Sequence, residues 1–353
     1  MSPDLPLNLA DFEAAARERL SPQAWAYFSG AAADEHTLAA NRSDWAAHRL
    51  LPRVLRPLSG SSTAINMGGL TLAHPIFLAP VACQRMAHPE GERATAMAAA
   101  AQGAGMILSS QSSVAVEAVA AAMAEPGAGP LWFQLYWQAQ REATLALVRR
   151  AEAAGCQTLV LTVDAPVHGV RDRERRAGFE IPPGISAVHL AGLPPPPDSL
   201  TALLAAAPSW DDVAWLRQQT RLPLWLKGVL HADDARQAAD SGCVDGLIIS
   251  NHGGRTLDST VSTAWALPRV AEALNGRLPL IVDGGIRRGT DVLKALALGA
   301  HAVAVGRPQV FALADDGAMG VARMLRLLRD EFAIALALCG CRSPDDVSRA
   351  LLA

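Results

Sequence analysis

From His74 onward the chain alternates short, strongly apolar runs with alanine-rich segments whose apolar residues recur at helical spacing. No other feature constrains the fold as much. Strands are predicted at Pro75–Ala79, Met106–Ser109, Leu131–Leu135, Thr158–Val163, Pro223–Lys227, Gly246–Ser250, Leu280–Val282 and Ala302–Val305. Between them the spacing predicts helices over Glu92–Gln102, Val114–Met123, Arg141–Ala153, Trp210–Gln219, Ala232–Ser241, Thr263–Leu274 and Gly289–Leu298, with Gly103, Gly155, Gly242 and Gly299 as stops. Nearly continuous apolar strands belong to a sheet covered on both faces. A βα unit repeated eight times predicts an α/β fold, a parallel sheet closed into a (β/α)8 or TIM barrel. An open, doubly wound sheet is the competing arrangement.

A barrel uses about 250 residues, so this chain of 353 has a surplus, and it falls in two places. Residues 1–73 read as two or three helices forming an extension packed on the barrel, with Asn8 and Ser21-Pro22 as start signals. The barrel itself is expected over 74–353. Inside it, residues 165–209 make too long a connection after the fourth strand for an ordinary βα loop. That stretch carries the charge cluster Arg171–Arg176, the prolines Pro194–Pro197 and the apolar run Leu200–Ala207, and it reads as a lid. It has no basic face beside the apolar run, so membrane contact is not expected.

The net charge of −3 supplies no field to hold a polyanion, and nucleic acid is not expected as a partner. Five scattered cysteines without a CxxC pair indicate neither a disulfide framework nor a metal site, and the expected compartment is reducing and cytoplasmic. The first residues include Asp4, Asp11 and Glu13 and do not resemble a secretory leader, and no run of about 18 apolar residues suggests a spanning helix. Only two lysines and two tyrosines occur, so one falling inside a chemical motif stands out from background.

In such a barrel the chemistry sits where strands end. Here the ends read Pro80-Val81-Ala82, Ser109-Ser110, Gln134-Leu135-Tyr136, Thr162-Val163-Asp164, Lys227-Gly228, Ser250-Asn251-His252, Asp283-Gly284-Gly285 and Gly306-Arg307. Burying so many polar groups without partners costs about 1–3 kcal/mol each, so together they describe a polar pocket. The last two ends offer bare backbone N–H groups, a helix start and the cations Arg287 and Arg307 at the position where barrels bind phosphate. A phosphorylated ligand is expected. His252 can take a proton, and Asp164 at the same rim can orient the imidazole and stabilise its cation. Arg255 and Arg171 each offer a fork for a carboxylate. Lys227 is either a Schiff-base nucleophile or a fixed cation beside developing negative charge.

The run Ser250-Asn251-His252-Gly253-Gly254-Arg255-Thr256-Leu257-Asp258 resembles the signature of the FMN-dependent α-hydroxy acid oxidases and dehydrogenases, and Asp283–Gly289 with Gly306-Arg307-Pro308 resembles their phosphate site. Ala87–Glu92, Phe133–Tyr136, Leu161–Pro166 and Leu226–Val229 match in the same order. The resemblance covers the chain from about Tyr27 onward. It implies that His252 takes the substrate's proton with Asp164 as partner, that Arg171 and Arg255 clamp the substrate carboxylate, and that Tyr27 and Tyr136 hydrogen-bond the carboxylate and hydroxyl. It favours the fixed-cation role for Lys227, at the flavin edge where charge accumulates. Backbone at Pro80, Val81 and Ala82, with Ser109, Gln134, Thr162 and Ser250, would hold the ring, and Asp283, Gly284, Gly285, Arg287, Gly306 and Arg307 the ribityl phosphate. It further implies a homo-oligomer, a tetramer or octamer.

No protein side chain can accept a hydride equivalent, so a flavin must. Direct hydride loss from carbon and initial proton loss to His252 use the same residues. Gln111 stands where glycolate oxidase has a bulky Trp, which points to a lactate-sized or mandelate-like (S)-2-hydroxy acid. Ala82 resembles the oxidases, where many dehydrogenase and monooxygenase relatives have Gly, and favours O2 over a quinone or another carrier as electron acceptor. An FMN-binding module without turnover would have a broken His252/Asp164/Arg255 set, and a barrel binding phosphosugars would be colourless.

Overall fold

A computed structural model describes residues 5–353. Residues 1–4 of the extension expected over 1–73, Asp4 among them, lie outside the described residues. The chain opens with three helices, α1 (Leu9–Arg19), α2 (Pro22–Ser29) and α3 (His36–Ala47). Asn8 caps α1 by accepting from Ala10 N and Asp11 N, and Ser21 accepts from Ala24 N ahead of Pro22 in α2. Next come two short strands, β1 (Ile65–Met67) and β2 (Leu70–Leu72), then β3 (Ile76–Leu78), α4 (Glu92–Gln102), β4 (Gly105–Ser109), α5 (Val116–Ala122) and β5 (Leu131–Tyr136). The run continues with α6 (Arg141–Ala153), β6 (Thr158–Thr162), α7 (Asp172–Arg176), α8 (Leu200–Ala205), α9 (Trp210–Gln219) and β7 (Leu224–Lys227). It ends with α10 (Ala232–Ser241), β8 (Gly246–Ile249), α11 (Thr263–Leu274), β9 (Leu280–Val282), α12 (Gly289–Ala297), β10 (Ala302–Val305) and the long α13 (Arg307–Leu338), which breaks at Asp316-Gly317.

Strands β3 to β10 pair in parallel with their neighbours, and β10 pairs back onto β3 through Val303 and Ile76, which closes the sheet. The closed barrel, not the open sheet, is therefore the architecture, and each predicted strand is present within a residue or two of its expected bounds. Inside, Phe77, Trp132 and Trp225 pack in sequence with their rings tilted by 50°, centroids 5.0 and 4.9 Å apart. Glycine makes room for them, since a Cβ on Gly105 would stand 2.2 Å from the Phe77 ring.

The extension also contains one segment beyond its helices. Besides the three helices, which match the expected two or three, residues 65–72 form an antiparallel hairpin around Gly68-Gly69, both at positive φ, which the sequence reading does not include. Three-residue strands are too short to show a period, but a Gly-Gly pair between apolar runs is a hairpin signal. Ile65, Met67 and Leu72 join the inward-facing residues Phe77, Ile107, Trp132 and Ile248 in one buried cluster. The hairpin leads directly into β3, so it plugs the barrel at the strands' N-terminal end and leaves the opposite mouth for the site.

The helical part of the extension meets that mouth. Asn41 and Asn251 exchange two amide hydrogen bonds of 2.8 Å each, and Trp45 Nε1 donates to Gly284 O at 2.8 Å. Helix α3 lacks a side-chain cap of its own. Instead Asp258, from the turn after β8, accepts from Asp34 N, His36 N and Thr37 N at 3.1, 3.3 and 2.8 Å. Such a cap stabilises by about 0.5–2 kcal/mol. Asp258→Ala should lower unfolding stability by about 1–2 kcal/mol in urea titration, with Asp258→Asn, which keeps one acceptor, falling between it and the wild type.

Candidate active site

The strand ends surround a cavity of about 830 Å³. Tyr27, Pro80, Val81, Ala82, Ser109, Tyr136, Thr162, Arg171, Lys227, His252, Arg255, Asp283, Gly284, Gly285, Arg287, Gly306 and Arg307 line it. Three of the predicted site residues, Gln134, Asp164 and Ser250, stand behind this surface and act on it through hydrogen bonds.

His252 is the centre of the polar network. Its φ of +57° is a left-handed conformation that a side chain of this size adopts only when its surroundings hold it there. The Ser250 hydroxyl accepts from His252 N at 3.0 Å, Nδ1 lies 3.0 Å from Asp164 Oδ1, and Nε2 lies 3.2 Å from the Tyr136 hydroxyl. Burial pulls His252 below the ordinary histidine value, against the opposing pull of Asp164. Burial likewise works against ionisation of Asp164, but the His252 imidazole and the Lys227 ammonium hold its carboxyl below the usual range. Burial pushes the Tyr136 phenol up, so it stays protonated and donates to Nε2. The neutral imidazole thus carries its proton on Nδ1, facing the carboxylate, and keeps Nε2 on the cavity side. Asp164 reaches this position because residue 228 is glycine. A Cβ there would stand 2.4 Å from the Asp164 carboxyl carbon.

Lys227 is 4% exposed, and its Nζ donates to Ser250 Oγ at 2.8 Å and pairs with Asp283 Oδ2 at 3.2 Å. The other oxygen of Asp283 is buried without a partner. Next to it, Ser109 Oγ donates to Gln134 Oε1 at 3.0 Å and Gln134 Nε2 donates to Thr162 Oγ1 at 2.9 Å, which fixes a polar row across three strands.

At the β9 and β10 ends the two guanidiniums bond, among the described residues, only to neutral carbonyls. Arg307 donates to Phe28 O, Gly253 O and Gly30 O at 3.2, 2.9 and 2.7 Å, and Arg287 to Ile286 O at 2.9 Å. Burial pulls Arg307 down to about 9 and Arg287 down to about 10, as expected of buried cations that lack an anion. Gly285 faces them with φ +89°, packed so closely that a Cβ would stand 2.0 Å from Asn41 O.

The two remaining arginines also converge. Arg255 lies over the Tyr27 ring, 4.9 Å from its centroid, and Arg171 Nε donates to Arg255 O at 3.4 Å. Sequence reasoning alone does not single out three further residues at or behind the mouth. Glu174 accepts from both arginines, Phe179 stacks on Tyr27 at 4.7 Å, and Gln309 Nε2 donates to Ala79 O at 2.6 Å. The spacing of Arg171 and Glu174, three residues apart beside a short charged helix, is a signal for the first. Phe179 and Gln309 give none.

These groups suit flavin mononucleotide on their own chemistry. Two half-buried guanidiniums that meet no anion among the described residues fit a phosphate, the unpartnered Asp283 oxygen fits a ribityl hydroxyl, and the polar row with Lys227 fits the ring's carbonyl and nitrogen edge.

Comparison with known proteins agrees. The family model described as FMN-dependent dehydrogenase matches residues 16–353. An L-lactate oxidase from Roseobacter sp. (strain GAI101) is 45% identical over 99% of this chain and 95% of its own length. Glycolate oxidase from Spinacia oleracea is 43% identical over 98% and 95%. A crystal structure of mandelate oxidase with (S)-2-phenylpropionate superposes with a TM-score of 0.90 at 42% identity, covering 98% of each chain. With its barrel, its glycine-and-arginine phosphate end and its imidazole at the mouth, the chain belongs to the FMN-dependent dehydrogenase family.

Proposed function

We propose that the protein oxidises an (S)-2-hydroxy acid, lactate-like or mandelate-like in its side chain, to the 2-oxo acid, with O2 as electron acceptor and hydrogen peroxide as second product. The observation that carries this reading is the half-buried imidazole, with Nδ1 on Asp164 and Nε2 on the cavity, in the same cavity as a pair of guanidiniums that already bind a carboxylate. The relatives support it by their own activities, being L-lactate, glycolate and mandelate oxidases.

Arg171 and Arg255 hold the substrate carboxylate, and Tyr27 with Tyr136 completes the contacts to carboxylate and hydroxyl. His252 Nε2 takes the substrate's proton, and Asp164 stabilises the cation that results. Pro80, Val81, Ala82, Ser109, Gln134, Thr162 and Ser250 hold the flavin ring, and Asp283, Gly284, Gly285, Arg287, Gly306 and Arg307 hold the ribityl phosphate. Lys227 keeps a positive charge at the ring edge. Bound FMN supplies the two-electron acceptor for a hydride equivalent and the route by which O2 is reduced to peroxide.

The segment 165–209 serves as the lid of a barrel domain spanning 74–353, with 1–73 as its extension; its Leu203, Ala206 and Ala207 line the cavity. The reading extends to a cytoplasmic homo-oligomer. All five cysteines are free thiols, and no helix of the described residues is long and apolar enough to cross a membrane.

Anaerobic mixing of holoenzyme with a panel of 2-hydroxy acids tests the activity, since the yellow colour should bleach with lactate or mandelate. Failure with the whole panel refutes it. Readmitted O2 should restore the colour within turnover time, and slow restoration would instead assign a quinone or other carrier as acceptor. His252→Gln should keep the protein yellow and slow bleaching by about 10²–10⁴-fold; bleaching at the original rate would refute the base assignment. Because His252 must be neutral to act and lies below its ordinary value, kcat/KM should fall with acid only below about pH 6.5. Asp164→Asn removes the group that raises the imidazole, so the acid limb should move to still lower pH while the rate drops. Arg255→Lys replaces a fork by a point charge and should raise KM roughly tenfold.

A further inference from the structure

Glu174 stands between the two arginines of the carboxylate clamp, where the reaction as read above does not require it. Its Oε1 accepts from Arg255 Nη2 at 3.1 Å and from Arg171 Nη1 at 3.3 Å. The side chains of Glu174, Arg255 and Arg171 are 13%, 15% and 16% exposed, so water screens this triad little. The carboxylate is not held by the arginines alone. Its helix, α7, is tied to the extension, because Arg173 pairs with Glu35 and donates to Ser29 Oγ at 3.1 Å, and Ala33 N donates to Val170 O at 2.8 Å.

Two guanidiniums and one carboxylate sum to +1. One incoming carboxylate therefore makes the clamp neutral, whereas without Glu174 the same ligand would meet a charge of +2. Substrate and 2-oxo acid product carry the same carboxylate, so any extra grip acts on both alike and slows release without helping the chemical step.

We propose that Glu174 is a specificity-determining residue, a resident carboxylate that shares Arg171 and Arg255 with the ligand and matches the site to a single negative charge. The proposal rests on the reading of those two arginines as the substrate clamp. Glu174 thereby sets the affinity for a monocarboxylate below what two arginines alone would give and disfavours a second negative charge on the ligand.

The test uses oxidised holoenzyme and three non-reacting probes of nearly equal size: malonate, its monomethyl ester and its dimethyl ester, each titrated at constant ionic strength through the change in flavin absorbance. The wild type should bind the monoester most tightly. In Glu174→Gln the monoester should bind about tenfold tighter, malonate should gain more than the monoester, and kcat for the 2-hydroxy acid should fall together with KM. Glu174→Asp, which keeps the charge, should retain the wild-type order of affinities. Unchanged or weaker monoester binding in Glu174→Gln overturns the proposal, because a carboxylate that only orients the guanidiniums would give that result. Should the Gln variant not fold, wild-type and Asp-variant preferences decide, and dianion binding as tight as monoanion binding overturns it. Wild-type binding of the neutral diester as tight as that of the monoester would instead refute the clamp itself, which separates the two failures.

Discussion

The 3.0 Å contact between His252 and Asp164 is the interaction on which the rest of the site depends. Burial alone would leave an imidazole too weak a base and a carboxylate reluctant to ionise, but each offsets the other's cost. The pair also fixes direction. With Nδ1 committed to the carboxylate, Nε2 is the only ring nitrogen left for the cavity, and Tyr136 presents a protonated phenol to it. Backbone makes this possible on both sides: His252 sits in a strained conformation stabilised by Ser250, and Gly228 leaves the space that Asp164 fills.

Around this pair the protein gathers positive charge, although the chain as a whole is slightly acidic. Lys227, Arg171, Arg255, Arg287 and Arg307 all line one cavity. Their partners sort them into two kinds. Lys227 is paired with Asp283, and Arg171 and Arg255 with Glu174, whereas among the described residues the Arg287 and Arg307 guanidiniums bond only to carbonyls. The same residue type thus meets only neutral partners in one half of the mouth and a carboxylate in the other, among the described residues.

Much of this is legible in the order of the amino acids. Strand ends follow from hydrophobic runs, because a barrel strand is buried on both faces and its apolar stretch stops where the pocket begins. Position alone therefore places polar residues such as Gln134, Thr162 and Asp164 at the mouth. What stays hidden depends on partners distant in sequence. The cap of α3 by Asp258 and the Asn41–Asn251 exchange join residues more than 200 apart, and no local pattern announces such a pair. The hairpin at 65–72 escapes for the opposite reason, since its strands are shorter than any period. Glu174 carries a spacing signal, but a charged run on a loop reads as solvated until the fold shows what it touches.

Those long-range joints also bear on the order of assembly. The first fifty residues leave the ribosome before the barrel exists, yet Trp45 O accepts from Lys294 Nζ, and Asn41 needs Asn251. Contacts of such sequence separation form late and slowly. Tyr27 and the carbonyls of Phe28 and Gly30 that orient the arginines belong to this early-made, late-docking segment. The pocket is consequently completed only when this earlier-made segment docks on strand ends that follow it by more than 200 residues.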